Sequence, residues 1–177
     1  MCGICGTLSP APKVMLNSTV RAMADTLRHR GPDDDGIWSD DSAGAALGHR
    51  RLSVLDLSTA GAQPMISACK RFIIAFNGEI YNHKALASAL TVDYEFQTGS
   101  DCEVILPLYE EFGVEFVDKL QGMFAFILYN ETDNSYLIAR DHIGIIPLYT
   151  GYDDKGNFYV ASEMKALMPI CKTVSEF

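Results

Sequence analysis

The first residues of the chain constrain its fold most strongly, because they place a cysteine directly after the initiator methionine. The chain begins Met1-Cys2-Gly3-Ile4-Cys5-Gly6. Removal of Met1 would leave Cys2 with a thiol and a free α-amine, and the ordinary pKa of such an amine is about 7.7–8.0. One residue would then carry both a nucleophile and a general base. Residues Ile4 to Leu8 predict a short first strand that holds this terminus inside the fold.

Cys2 and Cys5 form a CxxC pair, which has other uses in proteins. A structural zinc site normally has four ligands, and the sequence offers no second CxxC or nearby Cys/His pair. Thioredoxin-type pairs open a helix rather than a strand. Stable lipid anchoring takes a second signal, which this acidic terminus lacks. We therefore expect no metal, redox or lipid role, while an ordinary buried cysteine remains open at this stage.

The composition fits one globular domain of 177 residues that binds neither nucleic acid nor membranes. Hydrophobic residues make up 48% of the chain and the net charge is −9, which disfavours duplex nucleic acid and anionic membrane surfaces as partners. The longest apolar run, Met123 to Tyr129, is far shorter than the roughly 20 residues of a membrane helix. The first residues lack the basic start and the apolar stretch expected of a secretory signal, and five irregularly spaced cysteines argue against a disulfide framework. We expect a cytoplasmic protein with free thiols.

Periodicity and turn residues predict an α+β fold with antiparallel sheets. Apolar residues at helical spacing predict a helix from Val14 to Arg30, and the segment Ser162 to Met168 near the end of the chain is also expected to be helical. Asp33 to Asp35 is interpreted as an acidic loop. Further strands are predicted at residues 4–8, 43–47, 52–55, 71–76, 123–129, 135–140, 148–152 and 157–161, and further helices at 82–90 and 102–112.

Three polar positions are ambiguous when each is considered alone. Asn77-Gly78 is a strong hairpin-turn signal, but an asparagine amide beside a glycine N–H also suits an oxyanion hole. Arg51 could pair with a surface carboxylate or grip a ligand carboxylate. Asp101 could be a first-turn helix residue or the anion that holds an ammonium group. Together with Cys2, these groups would suit a binding site for an α-amino acid with a side-chain carbonyl, because they offer a cation, an anion, a nucleophile and an oxyanion hole.

A series of motifs that occur in order makes the chain similar to a known family. The motifs are Met1-Cys2-Gly3-Ile4, Arg28-His29-Arg30-Gly31-Pro32-Asp33, His49-Arg50-Arg51-Leu52-Ser53, Gln63-Pro64-Met65, Asn77-Gly78-Glu79-Ile80-Tyr81-Asn82, Gly99-Ser100-Asp101-Cys102-Glu103 and Arg140-Asp141-His142-Ile143-Gly144. The series resembles the glutaminase domain of glutamine-hydrolysing asparagine synthetases of the bacterial type, a class II glutamine amidotransferase. The resemblance covers essentially all of residues 1–177. It implies an N-terminal-nucleophile hydrolase fold, an αββα sandwich with two antiparallel sheets between helical layers.

The resemblance also implies a role for each candidate residue. Cys2 would attack the glutamine carboxamide, with its own α-amine moving the proton, while the Asn77 side chain and the Gly78 N–H hold the oxyanion. Arg51 would bind the α-carboxylate, since the Leu-Ser that follows aligns Arg51, rather than Arg50, with the family's ligand arginine. The remaining substrate contacts implied are Asp101 and Glu79 for the α-ammonium, and backbone groups around Val54 and Leu55.

The same resemblance implies partners beyond this chain. Full-length family members carry a C-terminal, ATP-dependent synthetase domain, which accepts the ammonia. We expect that domain to be absent from this sequence, which contains no phosphate-binding glycine loop, and we expect no cofactor. A homodimer is a further expectation. The alternative is a catalytically silent domain that binds glutamine or docks a partner, which would apply if Met1 is retained and the Cys2 nitrogen stays an amide.

Overall fold

Two antiparallel sheets form the framework of the chain, which was analysed as a computed structural model. The structure describes residues 1–9, 15–53 and 59–177. The strands are β1 (Gly3–Leu8), β2 (Asp34–Asp40), β3 (Ala45–Arg51), β4 (Met65–Ile66), β5 (Phe72–Ile80), β6 (Gly122–Asn130), β7 (Ser135–Arg140), β8 (Tyr149–Tyr152), β9 (Phe158–Ala161) and β10 (Thr173–Glu176). The six-stranded sheet has the order β10-β8-β9-β1-β3-β2, and the four-stranded sheet has the order β4-β5-β6-β7.

Helical segments cover the outer face of each sheet. The α-helices are α1 (Leu16–Thr26), α2 (His83–Ala89) and α3 (Ile105–Phe112), and 3₁₀ segments lie at Thr59–Gly61, Asp101–Val104, Gly113–Lys119 and Met164–Ala166. Helix α1 packs on the six-stranded sheet through Val20 and Met23, which are buried against Ala46. Helix α3 packs on the four-stranded sheet. The predicted α+β, αββα layering is confirmed.

The core between the two sheets explains why the chain begins in the interior. Ile4 of β1, Leu47 of β3 and Ile73 of β5 are all fully buried in this inter-sheet core. Strand β1 lies between β9 and β3 in the centre of its sheet. Ser162, directly after β9, donates its backbone N–H to the Ile4 carbonyl and accepts the Ile4 N–H at its hydroxyl, both at 2.9 Å. The residues just before β1 are therefore held at one end of the sandwich.

Several local predictions are wrong. The acidic residues 33–35 run into strand β2 at the edge of the six-stranded sheet rather than forming a loop. The two strands predicted at 43–47 and 52–55 are replaced by one strand, β3, which includes the polar residues 48–51; residues 54 and 55 lie outside the described part of the chain. These polar residues can lie inside a strand because neighbouring side chains compensate their charges. Arg50, for example, forms salt bridges with Asp25 and Asp35.

Further differences concern helix lengths and the end of the chain. Helix α1 ends at Thr26 and not at Arg30. Beyond Thr26 the backbone forms turns in which each N–H binds the carbonyl three residues earlier, as Arg30 does with Leu27. The predicted helix at 102–112 begins as a 3₁₀ segment at Asp101. The segment predicted to be helical at 162–168 contains only the 3₁₀ turn Met164–Ala166, and it is followed by the unpredicted edge strand β10. No helix in the described ranges is long and apolar enough to cross a membrane.

Candidate active site

A cavity of about 270 Å³ opens at the end of the sandwich where β1 begins and β3 ends. Six of the eight residues predicted for the site line it: Cys2, Arg51, Asn77, Gly78, Glu79 and Asp101. The other two, Val54 and Leu55, lie outside the described residues. The cavity wall is completed by Met1, Leu52, Gly61, Gln63, Phe76, Ser100 and Met123. Residues far apart in the sequence therefore meet at one place.

Backbone contacts fix Cys2 at the mouth of this cavity. The Leu52 N–H lies 3.4 Å from Cys2 Sγ, and the thiol lies 3.7 Å from the Leu52 carbonyl oxygen. The Cys2 carbonyl accepts a hydrogen bond of 2.9 Å from Arg30 Nε. Side chains alternate along an extended chain, so Cys2 lies on the same side as Ile4, which faces the core between the sheets. The thiol thus reaches the cavity from the inter-sheet side.

Arg30 is itself held by a carboxylate. Its Nη1 donates to Glu163 Oε1 at 2.9 Å, and His29 Nε2 lies 2.8 Å from the same oxygen. Burial raises the pKa of Glu163, but hydrogen bonds from Arg30, His29 and Lys165 outweigh it and lower the pKa to about 2. Glu163 therefore stays ionised at neutral pH and keeps the guanidinium against the Cys2 carbonyl.

One edge of β5 offers a row of backbone donors to the cavity. Arg71 and Tyr81, which flank β5, form backbone hydrogen bonds to the segments that flank β6. The backbone groups of odd-numbered residues of β5 therefore point to β6, and the N–H groups of even-numbered residues point to the opposite edge. On that edge the Phe76 N–H donates to Gln63 Oε1 at 2.7 Å, and the Ile80 N–H donates to Asp101 Oδ2 at 2.6 Å. The Gly78 N–H lies between them, and the described residues give it no acceptor.

Asn77 supplies a second donor without a partner. Its side chain is on the inter-sheet face of β5, the face of Ile73 and Ala75, and the residue is only 1% exposed. Nδ2 is buried and has no hydrogen-bond partner among the described residues. Burying an amide donor in this way costs free energy. Functional sites are where such a cost is characteristically tolerated, because a ligand satisfies the donor when it binds.

Gly78 can occupy its position only because it lacks a side chain. Its φ is +151°, and a Cβ built there would lie 2.1 Å from the Met123 carbonyl oxygen on β6. The strand therefore passes straight through Asn77-Gly78, and the hairpin-turn interpretation of this dipeptide is wrong. Strand β6 therefore passes close to Gly78, and the β5–β6 ladder continues on either side of it.

The two adjacent arginines of β3 face opposite sides of the sheet. Arg50 points to helix α1, where it binds the Ala24 carbonyl and pairs with Asp25. Arg51 is buried and lines the cavity. His49, on the same face as Arg51, hydrogen-bonds the Phe76 carbonyl at 3.1 Å through Nε2. Burial, reinforced by the charge of Arg51, lowers the pKa of His49 to about 4, so Arg51 is the cation of this pair at neutral pH.

Two carboxylates balance that cation at the cavity. Asp101 is buried, and burial raises the pKa of its carboxyl even though the Ile80 N–H stabilises the ionised form. Glu79 is exposed at the cavity and its charge further raises the pKa of Asp101. Burial therefore disfavours the ionised form of Asp101. A positively charged ligand would relieve this.

Comparison with protein families identifies the chain's relatives. The model of the glutamine amidotransferase domain matches residues 1–177. The chain belongs to the glutamine amidotransferase domain family. This amidotransferase domain is 54% identical over 178 residues to asparagine synthetase B (glutamine-hydrolysing) of Escherichia coli (strain K12), an alignment that covers 100% of the chain. It is 45% identical over 178 residues to the glutamine-hydrolysing asparagine synthetase of Zea mays, again over 100% of the chain.

The amidotransferase domain spans only part of those relatives, 32% of the bacterial protein and 30% of the maize protein. Its fold also matches a solved structure, the glutamine phosphoribosylpyrophosphate amidotransferase from B. subtilis complexed with ADP and GMP. The TM-score is 0.79 at 23% identity, and the match covers 94% of this chain and 43% of that chain. The predicted family and the N-terminal-nucleophile fold are both confirmed.

Sequence reasoning missed three residues of this site in the amidotransferase domain. Gln63 lines the cavity, Arg30 holds the Cys2 carbonyl, and Glu163 holds Arg30. Gln63 and Arg30 stand inside the motifs Gln63-Pro64-Met65 and Arg28 to Asp33, but the motifs carried no assigned chemistry. Glu163 stands in the segment taken for a helix, where nothing in the pattern indicates a contact with the N-terminus.

Proposed function

We propose that residues 1–177 form a glutaminase domain, which hydrolyses glutamine to glutamate and ammonia through a γ-glutamyl thioester on Cys2. The observation that carries the proposal is the buried Asn77 Nδ2, which has no partner among the described residues and stands next to the Gly78 N–H on the wall of the cavity that also holds the Cys2 thiol. Two fixed donors beside a nucleophile are the arrangement that stabilises the oxyanion of a tetrahedral intermediate.

The reaction proceeds in two displacements. Cys2 Sγ forms a bond to the side-chain carbonyl carbon of glutamine, and the free α-amine of Cys2 takes the thiol proton. The C–N bond of the carboxamide then breaks as that proton passes to the leaving nitrogen, which departs as ammonia. Water attacks the thioester with the same amine as general base, and the C–S bond breaks to release glutamate and the thiol. Asn77 and Gly78 hold the carbonyl oxygen at both steps.

Charged groups of the cavity orient the substrate. The buried Arg51 guanidinium binds the α-carboxylate. Asp101, whose pKa burial raises, binds the α-ammonium together with Glu79. Backbone groups around Val54 and Leu55 are proposed to complete the pocket. The substrate's own charges thus pair with a cation and an anion that the protein already holds at the cavity.

The names of the relatives suggest a destination for the ammonia. We propose that a C-terminal synthetase domain, as in an asparagine synthetase, accepts the ammonia for ATP-dependent asparagine synthesis. We propose the cytoplasm as the location, which the five free cysteines support, because reducing compartments keep thiols unpaired. Formation of a homodimer stays a prediction.

The silent-domain alternative depends on Met1. Met1 lines the cavity, and while it is present the Cys2 nitrogen is an amide and cannot act as a base. Removal of Met1 both supplies the base and clears its side chain from the cavity. The Cys2 thiol on the same cavity wall as these donors favours an active site over a silent binding site, because a site that only binds a carboxamide would use the donors but would need no nucleophile.

Trapping the thioester tests this proposal. Met1-free protein is mixed with glutamine, quenched with acid and analysed by intact mass and by peptide mapping. We expect an adduct of one glutamyl group on the N-terminal peptide, and the exposed Cys69 provides a matched control. Cys69→Ala should retain the adduct and Cys2→Ala should lose it. An adduct that persists in Cys2→Ala would refute the assigned nucleophile.

A further inference from the structure

We propose that Gln63 is an additional substrate-binding residue, whose side-chain NH₂ donates a hydrogen bond to the α-carboxylate of the bound amino acid. The proposal rests on the proposed glutaminase function and adds a contact to it. Gln63 lies on the cavity wall, in a segment whose chemistry the reaction described above does not use.

The position of Gln63 is rigid at both ends. A Cβ added to Gly36 of β2 would lie 2.1 Å from the Gln63 carbonyl oxygen, so the backbone of Gln63 packs directly on β2. At the other end, Oε1 accepts the Phe76 N–H at 2.7 Å. The Phe76 carbonyl is occupied as well, by His49 Nε2. The side chain of Gln63 therefore takes the place that a neighbouring strand would have along this part of β5.

The bond to Phe76 determines the orientation of the amide. A backbone N–H is only a donor, so the oxygen of Gln63 must face it and Nε2 must lie on the other branch of the amide. The structure gives Nε2 no partner among the described residues. An NH₂ group offers two donors and no acceptor, so the group that it binds in the cavity must be an acceptor.

The substrate has two acceptor groups, and one is already occupied. The carboxamide oxygen receives the Asn77 and Gly78 donors, which use both of its lone pairs. The α-carboxylate offers about four acceptor sites, and Arg51 does not exhaust them. The α-carboxylate is therefore the acceptor left for Gln63. This contact would help the site to discriminate free α-amino acids from amides without an α-carboxylate.

An isosteric substitution separates this role from a structural one. Gln63→Glu keeps an oxygen for the Phe76 N–H but replaces the NH₂ donor by a second acceptor. We expect the thermal midpoint to stay close to that of the wild type. The affinity for glutamine, measured by calorimetry in the Cys2→Ala background, should fall by about 100-fold, because a carboxylate then faces the substrate carboxylate. Gln63→Met should weaken binding by about 10- to 100-fold, the usual effect of losing one hydrogen bond to a charged group.

Two controls make the outcome decisive. Gln121→Glu introduces the same charge at an exposed position and should bind glutamine as the Cys2→Ala parent does. The decarboxylated analogue of glutamine should lose no affinity on Gln63→Met, because it has no carboxylate to accept the bond. Parental glutamine affinity in Gln63→Glu, or an equal loss for the analogue, would overturn the inference. Absence of turnover in the wild type would refute the proposed hydrolysis without altering this binding comparison.

Discussion

Asn77 has a proposed role in the oxyanion hole that would come at the expense of stability. Its Nδ2 is buried with no partner among the described residues, whereas the neighbouring donors on β5, at Phe76 and Ile80, are bound by side chains. The protein thus satisfies the groups on either side and leaves Asn77 Nδ2 and the Gly78 N–H for a ligand. Buried polar groups in native proteins are otherwise almost always paired.

Asn77→Ala should lower kcat for glutamine hydrolysis by about 10²- to 10³-fold, the usual loss when one oxyanion donor is removed. The thermal midpoint should stay within a few degrees of the wild type, since the described residues give Nδ2 no hydrogen bond to lose. Steady-state glutamate release and thermal denaturation provide the two readouts. Asn130→Ala, at the end of β6, where Oδ1 accepts the Thr132 N–H, serves as the control. Wild-type kcat in Asn77→Ala would contradict the role of the amide.

Asp101 predicts a pH dependence of substrate capture. Burial raises the pKa of this carboxyl, so the anion proposed to bind the α-ammonium is lost as the pH falls through that raised pKa. We expect kcat/KM for glutamine to decline on the acid side, because kcat/KM follows the ionisation of the free enzyme. In Asp101→Asn, kcat/KM should be low throughout and this acid limb should disappear.

The matched control for that experiment is Asp93→Asn, which neutralises an exposed carboxylate in the loop before Asp101. It should keep the wild-type profile. An acid limb that survives unchanged in Asp101→Asn would show that another group causes it.

At the scale of elements, strand β5 carries the site because its outer edge is only partly covered. Strand β4 pairs with β5 at Ile73 and Ile74 alone. Beyond that point, side chains from Gln63, His49 and Asp101 bind the edge instead of a strand. Backbone donors can therefore face a ligand while β6 keeps the other edge of β5 fully paired.

Gly78→Ala should destabilise the protein by about 2–4 kcal/mol, through combined backbone strain and overpacking. The added Cβ meets the Met123 carbonyl, and chemical denaturation measures the loss. Gly113→Ala isolates the strain, because its φ of +57° and ψ of −146° suit glycine but nothing lies within 4 Å of the added Cβ. Its cost should be that of the strained backbone alone, about 1–3 kcal/mol. Equal losses in the two variants would contradict the close approach of β6 to Gly78.

The sequence predicted the elements whose apolar residues are buried. Strand β1 and the long strand β6 were located from their apolar runs, and β7 was predicted with the bounds that the structure has. Strands β2 and β10 were missed because they lie at sheet edges, where acidic and polar side chains stay in solvent. The turn signal of Asn77-Gly78 is local, and pairing with β6 along the whole of β5 overrides it.

The candidate site could be predicted only in part, for a similar reason. Motif resemblance selected Cys2, Arg51 and Asp101, which all line the cavity. Gln63 and Glu163 act through contacts with distant segments, at Phe76 and Arg30. No local pattern encodes such contacts, since they depend on how β5 and the N-terminus are placed in three dimensions.

At the scale of the whole molecule, the two-sheet sandwich holds its own N-terminus in a fixed position. Three separate segments hold the start of the chain: Leu52 contacts the Cys2 thiol, Arg30 binds the Cys2 carbonyl, and Ser162 binds both backbone groups of Ile4. These contacts do not involve the Cys2 nitrogen. The scaffold can therefore position the nucleophile both before and after Met1 is removed, while only the processed form has the base.

Glutamate release by mass-verified, Met1-free protein is the most direct test of this account. The domain should turn over glutamine, Cys2→Ala should release no glutamate above background while still binding glutamine, and a preparation that retains Met1 should be severely slowed, because its Cys2 nitrogen is an amide. Turnover by Cys2→Ala at the wild-type rate, or equal rates with and without Met1, would contradict the claim that Cys2 acts as nucleophile with its own α-amine as the base.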